Sequence, residues 1–454
     1  MAQLSYEAFR DELFAQAQAK NFADYELYYS AGSSFSVRVL KGEISEYKNT
    51  ASEGVGFRGT YNGKMGYAYT ESLDSNTIPV LLNNAIANAS IIEDKTIEKL
   101  YPGDKAYPQV ENFNPALDSI DAYQKIEWAL GLEKYLLSLD PRVKMADYCT
   151  VYSGENVKAI ANSYGLNLFQ KDNMAGSYVT ARVEENGCNK SAYEYWIGRD
   201  FADFDYKKMA DKAVKTALSY LGAESIPSGQ YPVIFNDDTA RDIFDVFSPI
   251  FIAERGQKGF SMFNKGKIGE TVAAPHITLR DDGVTDLSLG SIAFDAEGVA
   301  TQNKAVIENG VLKTLLYNTK SAEEDGVVST GNASKEGIAG AIETAVTNFY
   351  IVPGKKSYDE LVKGLDKGVV IVDMAGLHSG VNPISGDFSV SADGFLVEGG
   401  KIVKPVEQIT LAGNFYELLK NIEEVGSDLK FYSHGAGGFG MPSLLVNGLS
   451  IAGL

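Results

Sequence analysis

Three histidines, His276, His378 and His434, are the only imidazoles in the chain, and no two lie within a helical turn of one another. A hydrolytic zinc takes about three protein ligands and keeps one position open for water, and two histidines one turn apart on a helix are a common way to present them. That spacing is absent, so a shared imidazole site would need three loops to converge. His378, Asp373 and Asp387 suit a carboxylate-oriented acid/base pair if the Asn382-Pro383 turn folds them together. The same Asp387 suits a strand-end turn in which its carboxylate caps backbone amides, and we favour that assignment.

Ser433-His434-Gly435-Ala436-Gly437-Gly438 offers glycines that let backbone amides converge on an anion, but no Gly-x-Ser-x-Gly elbow forms there and a turn or interface loop is expected. Gly435-x-Gly437-x-x-Gly440 has dinucleotide-loop spacing, yet Met441-Pro442 stops the helix that must follow. Asp295 and Glu297 are spaced like paired glycosidase carboxylates; strand alternation would put both on one exposed, solvated or salt-bridged edge. Asp237-Asp238 is read as helix capping. Cys149 and Cys188 belong to no Cys/His cluster and are expected to be reduced structural thiols. Tyr25, Tyr28, Tyr29 and Tyr47 are expected to pack between strands.

The 454 residues exceed one ordinary core, so two domains are expected, 1–228 and 229–454, divided at the Ser225-Ile-Pro-Ser-Gly-Gln-Tyr-Pro composition shift. A net charge of -19 disfavours phosphate backbones and anionic lipid, which argues against a nucleic-acid or membrane role. The first residues lack a secretion signal and no apolar run reaches the roughly 20 residues that span a bilayer, so a cytoplasmic location is expected.

Positioning elements follow from period and punctuation. Ser5 caps a helix over Tyr6 to Ala19, where Phe9, Leu13 and Ala17 form one stripe. Tyr25 to Tyr29, Ser34 to Leu40, Gly54 to Gly59 and Met65 to Thr70 read as strands of an antiparallel sheet, the last pair joined at Asn62-Gly63. Helices are expected over Thr77 to Ile92, Asp121 to Leu139 and Tyr206 to Leu221, with short strands at Ala146 to Tyr152, Lys158 to Ser163 and Ser177 to Glu184. In the second half, Pro232 to Phe235 is a buried-type strand and Asn236 opens a core helix to Phe247. Asn309-Gly310 and Gly399-Gly400 mark hairpins, the first with its second arm running from Val311 to Tyr317. Ser357 with Glu360 and Asn414 with Glu417 read as capping boxes. The fold class is α+β: an N-terminal antiparallel sheet with packed helices, then a β-rich, barrel or sandwich-like C-terminal domain.

Taken in order, Gly54-Val55-Gly56-Phe57-Arg58-Gly59, Gly63-Lys64-Met65-Gly66-Tyr67, Phe294-Asp295-Ala296-Glu297-Gly298-Val299, Ile307-Glu308-Asn309-Gly310-Val311-Leu312, Ser329-Thr330-Gly331-Asn332, Gly386-Asp387-Phe388-Ser389 and Leu411-Ala412-Gly413-Asn414 resemble successive motifs of the TldD/PmbA family. In that family TldD-type subunits carry a His-Glu-x-x-x-His helix and a later Cys that hold a metal, and PmbA (TldE) subunits lack them. The corresponding stretch here, about Ala240 to Pro249, contains no His, so the chain resembles the PmbA side.

The resemblance implies a subunit without its own metal or other cofactor, paired with a TldD-like partner that carries a zinc-type metal and acts on small, unfolded or modified peptides. It leaves a homodimer in isolation open. Gly386, Asp387, Phe388 and Ser389 are expected to face peptide or partner. Two alternatives remain at this level: a stand-alone hydrolase using His378, Asp387 and His434, or a homo-oligomeric peptide-binding protein.

Overall fold

The computed structural model describes residues 3–92, 99–433 and 437–454. Helix α1 (Tyr6–Ala19) starts where the Ser5 hydroxyl accepts the Ala8 N–H, and it buries Phe9, Leu13 and Ala17. Two long strands follow, β1 (Tyr25–Leu40) and β2 (Glu43–Tyr61), then β3 (Lys64–Thr70). Their turns use the left-handed backbone that such two-residue loops require, Lys41-Gly42 at φ of 56° and 77° and Asn62-Gly63 at 50° and 77°. Helix α2 (Thr77–Ile91) lies on β3. In α3 (Ala122–Ser138), the Glu133 carboxylate accepts the Lys41 and Gly42 N–H groups at 2.6 Å each, so a buried acid of the helix pins the β1–β2 turn.

Strands β4 (Val143–Asn162), β5 (Asn167–Glu185) and β6 (Cys188–Gly198) complete an antiparallel sheet of order β3-β2-β1-β4-β5-β6, and helix α4 (Tyr206–Ser219) packs near its β6 end. The segments expected separately at Tyr25 to Tyr29 and Ser34 to Leu40 are one strand, as are those at Ala146 to Tyr152 and Lys158 to Ser163. The intervening Ser30, Ala31, Gly32 and Ser33 are small, but ladders on both sides hold them, and just beyond them the Ser34 and Thr50 hydroxyls meet at 2.7 Å. Leu27, Tyr29, Val37 and Val39 of β1 pack with the helices. By the period of a strand, Glu26, Tyr28 and Ser30 therefore turn to the opposite face, toward the C-terminal half.

That half begins with β7 (Gly229–Phe235) and α5 (Asp237–Phe247). The α5 cap is the Asn236 side chain, which accepts the Thr239 N–H at 2.9 Å; Asp237 and Asp238 occupy the first turn rather than capping it. A short helix α6 (Ala253–Gln257) precedes β8 (Leu279–Asp282), β9 (Asn303–Glu308) and β10 (Val311–Leu312). The Asn309-Gly310 hairpin forms, but its second arm stops at Leu312 instead of Tyr317. Next come α7 (Thr319–Asp325), the small hairpin β11 (Ala333–Lys335) and β12 (Ile342–Thr344), β13 (Asn348–Ile351) and α8 (Tyr358–Gly364). Ser357 and Glu360 form the expected capping box at α8.

The chain ends with β14 (Lys367–Ala375), β15 (Asp387–Glu398), β16 (Lys401–Asn414), α9 (Phe415–Asn421), β17 (Ile422–Val425), β18 (Lys430–Ser433), β19 (Gly438–Met441) and β20 (Leu444–Ala452). At α9 the Asn414 side chain accepts the Tyr416 and Glu417 N–H groups, a plain cap without the return bond from Glu417. Strands β16-β15-β14-β7-β20 close into a barrel through the pairing of Thr410–Ala412 with Ser450–Ala452. A second sheet, β10-β9-β8-β13-β19-β18, packs with it around one apolar core. Phe247 and Phe415 stack there at 4.4 Å between ring centroids.

Phe388 is part of this core, 3% exposed and 6.3 Å from the Phe247 ring, so it does not face peptide or partner as expected; the barrel period turns it inward while Asp387 and Ser389 turn outward. Gly386, also buried, sits at φ 84°, and a Cβ there would lie 2.4 Å from the Tyr416 ring. Gly386→Ala should lower stability by roughly 1–2 kcal/mol through backbone strain and overpacking, read as a shift in the denaturant midpoint.

Candidate functional site

Between the two halves lies a cleft whose floor is the face of the N-terminal sheet that the helices leave uncovered. Its roof is the 292–300 turn, the β11–β12 hairpin and the start of α7. Polar bonds join the layers: Gln170 Oε1 accepts the Ala293 N–H at 2.8 Å, Tyr107 donates to the Gly298 carbonyl at 2.7 Å, and Arg199 donates to the Leu289 carbonyl at 2.7 Å. The hairpin tip rests on two glycines of β2, because a Cβ at Gly54 would lie 2.5 Å from Ile338 Cδ1 and one at Gly56 would lie 2.4 Å from the Ile338 carbonyl oxygen. Only glycine admits such an approach.

A buried ion pair sits beneath the roof, and two buried acids lie within it. Arg58 Nε donates to Glu26 Oε1 at 2.7 Å, with both side chains almost fully buried. Burial disfavours the Arg58 charge, but the Glu26 and Glu297 carboxylates outweigh it and hold the guanidinium above its ordinary pKa. Asp295 and Glu297 are 3% and 4% exposed and lie in a turn bracketed by a Phe294–Ala300 bridge. This corrects the exposed strand edge expected for them: Gly298, at φ 84°, tightens the chain into a turn, and the N-terminal sheet covers it. Glu297 accepts the Thr319 N–H at 2.8 Å and the Thr319 hydroxyl, and burial raises its pKa against the pull of Arg58.

Asp295 accepts backbone N–H groups from Glu297, Val299 and Ala333 at 2.9–3.0 Å. Burial and then the Glu297 charge push it up to about 7 despite those bonds. A carboxyl raised in this way keeps its proton in the native state while the unfolded chain has lost it, so stability falls as pH rises from about 4 toward 7. Asp295→Asn should flatten the wild-type loss of unfolding free energy between pH 5 and pH 8 by on the order of 1 kcal/mol, measured by urea denaturation at each pH.

The cleft holds a cavity of about 520 Å³ lined by Tyr28, Ser30, Lys158, Gln170 and residues of the 292–296 and 332–347 segments. A second, of about 700 Å³, is lined by Arg58, Glu297, Thr319 and Lys320 among others. Lys335 stands over the Tyr28 ring at 5.0 Å, and burial followed by the Arg58 charge brings its pKa down to about 8. Burial also lowers Lys158. Sequence reasoning did not single out Glu26, Arg58, Lys158 or Lys335. The available signal was Arg58 itself, a cation set in the glycine-rich run Gly54–Gly59 directly after buried Phe57.

The residues singled out earlier sit elsewhere. His378 is exposed in the turn after β14, and Asp387 opens β15, its carboxylate accepting from Asn414 Nδ2 at 2.8 Å. Asn414 and then Ser385 hold Asp387 below the usual carboxylate range. Among the described residues no hydrogen bond or ion pair links His378 to Asp373 or Asp387. His434 lies outside the described residues. Cys149 is buried and donates to the Ala129 carbonyl at 3.2 Å, and burial raises its thiol to about 12; both cysteines are unbridged.

Helix α5, the histidine-free stretch singled out in the sequence, buries Ile243, Phe244 and Phe247 and turns Asp238, Arg241 and Asp242 the other way. Arg241 bonds both carboxylates at 2.8 Å, and its guanidinium lies 4.8 Å from the Tyr432 ring centroid. Tyr432 in turn meets Tyr195 of the N-terminal sheet at 5.0 Å, and Lys430 Nζ lies 4.0 Å from the Tyr195 ring centroid. A cation already neutralises the acids that a metal would use, and among the described residues no three His, Cys, Asp or Glu groups cluster as metal ligands. The α5 face does not fit a metal.

Three family models match in order: PmbA/TldA metallopeptidase domain 1 over residues 25–89, the central domain over 115–221 and the C-terminal domain over 228–453. The chain belongs to the PmbA/TldD family. Relatives carry both names: Metalloprotease PmbA of Escherichia coli O157:H7 is 28% identical across 94% of this chain and 92% of its own, and the Metalloprotease TldD homolog of Buchnera aphidicola is 26% identical across 91% and 90%. A solved Thermotoga maritima structure, described as a candidate modulator of a DNA gyrase, is 33% identical with a TM-score of 0.89 over 99% of this chain and 100% of that one. The metalloprotease names place a metal in the family. Among the described residues no helix is long and apolar enough to cross a membrane.

Proposed function

We propose that this chain is the PmbA (TldE)-like subunit of a cytoplasmic TldD-type metallopeptidase complex, that it contributes no catalytic metal, and that a zinc-type ion on a TldD-like partner cleaves small, unfolded or modified peptides. The single observation that carries the proposal is the α5 face, where Arg241 is tied to Asp238 and Asp242 in place of imidazole ligands. A guanidinium is always protonated in a protein and presents donors only, so it cannot ligate a metal. The two halves, 1–228 and 229–454, would then act as floor and roof of a peptide-handling cleft. The outer strands β3 and β6 offer main-chain groups for an extended peptide, and exposed Asp387 and Ser389 offer a contact to partner or peptide.

A stand-alone hydrolase on His378 and Asp387 has less support, since Asn414 engages the Asp387 carboxylate. Metal analysis and peptide cleavage by the purified chain, alone and after adding a TldD-type subunit, test the proposal. We expect no stoichiometric metal and no turnover alone, and turnover on mixing; bound metal with turnover in the isolated chain would refute it.

A further inference from the structure

The 520 Å³ cavity has a polarity that the family assignment does not explain. Strand register places Ser30, Lys158 and Gln170 directly beside one another across β1, β4 and β5, on the face that also carries Tyr28. Lys335 reaches over Tyr28 from the roof. Among the described residues, the two ammonium groups have no ion-pair partner, and the Ser30 and Ser334 hydroxyls beside them make no hydrogen bond. Burial works against both lysine charges, so an anion seated between them would relieve a strain that is already built in. Glu336 and Glu343 are exposed and line the same cavity, also without ion-pair partners among the described residues. The interior thus carries two ammonium groups beside Asp295, whose carboxyl is engaged by three backbone N–H groups, and the rim is anionic.

We propose that this cavity binds a short peptide by its C-terminus, with the terminal carboxylate between Lys158 and Lys335 and the chain, ending in its ammonium group, passing Glu336 and Glu343. A lone inorganic anion would use the lysines but leave the acidic rim opposed to it; a zwitterion satisfies both. The volume suits a peptide of a few residues. The inference deepens the peptide-handling part of the proposed function and rests on it. It has its own readout: turnover on mixing without binding here would sink the cavity assignment alone, and binding here without turnover on mixing would sink the complex alone.

Calorimetric titration of the full chain with trialanine, trialanine amide and inorganic phosphate tests it. We expect trialanine to bind, the amide to bind at least about 10-fold more weakly because the charge-assisted bonds are lost, and phosphate not to displace trialanine. Lys158→Met and Lys335→Met should each weaken trialanine about 10-fold and leave the amide unchanged, with circular dichroism confirming the fold. Equal binding of acid and amide, displacement by phosphate at equal concentration, or no binding of trialanine at about 10 mM, where even a weak ligand of this size registers, would overturn the proposal. If either variant fails to fold, the acid-against-amide comparison on the unaltered chain decides.

Discussion

Replacing Arg58 by Met should lower the unfolding free energy by roughly 3–5 kcal/mol, because removing one partner of a buried ion pair leaves the other charge uncompensated. Glu26 is 3% exposed on its side chain and loses the donor at 2.7 Å; Glu297 loses its counter-charge at the same time. Glu297, whose pKa burial already raises, can then escape only by taking up a proton. The deficit should therefore be larger at pH 8 than at pH 5, where protonation relieves it. Adding Glu26→Gln to Arg58→Met should recover part of the loss, since the pair is coupled and its members do not add. Urea denaturation of the two variants at both pH values checks this. A loss below about 1 kcal/mol for Arg58→Met would mean that the pair is solvated in a way its burial does not indicate.

Gly56→Val should cost about 2–3 kcal/mol, at the upper end of overpacking because the opposing atom is backbone. A Cβ there would press on the Ile338 carbonyl at 2.4 Å and on Lys335 Nζ at 2.9 Å. Lys335 can move, but the hairpin tip at 336–341 must lift to release Ile338. The variant should gain protease sensitivity in that tip along with its lower midpoint. Gly364→Ala is the control, with open space around its Cβ position and an expected change within about 0.5 kcal/mol.

Helices and hairpins were legible in the sequence because their signals are local. The stripe of Phe9, Leu13 and Ala17, the Asn62-Gly63 and Gly399-Gly400 turns and the Ser357–Glu360 box all required only neighbours in the chain. The α+β class and the barrel-like C-terminal half followed from them. The cleft was not legible, since it is made by contact between distant segments. Asp295 and Glu297 alternate like a strand edge, and only the sheet that covers them, together with the Gly298 turn, makes them a buried pair. Gly54 and Gly56 stood out as a motif, but their purpose, seating Ile338, depends on a hairpin far along the chain. Phe388 was drawn to the surface by its polar neighbours, whereas strand alternation alone would have turned it inward.

The central claim is that this chain supplies no catalytic group and that the metal belongs to its partner. Peptide turnover measured with the chain in excess over a TldD-type subunit whose metal-binding histidines have been replaced tests that claim most directly. The account predicts no turnover above background, with turnover restored by the unaltered partner; cleavage that persists with the disabled partner would contradict it.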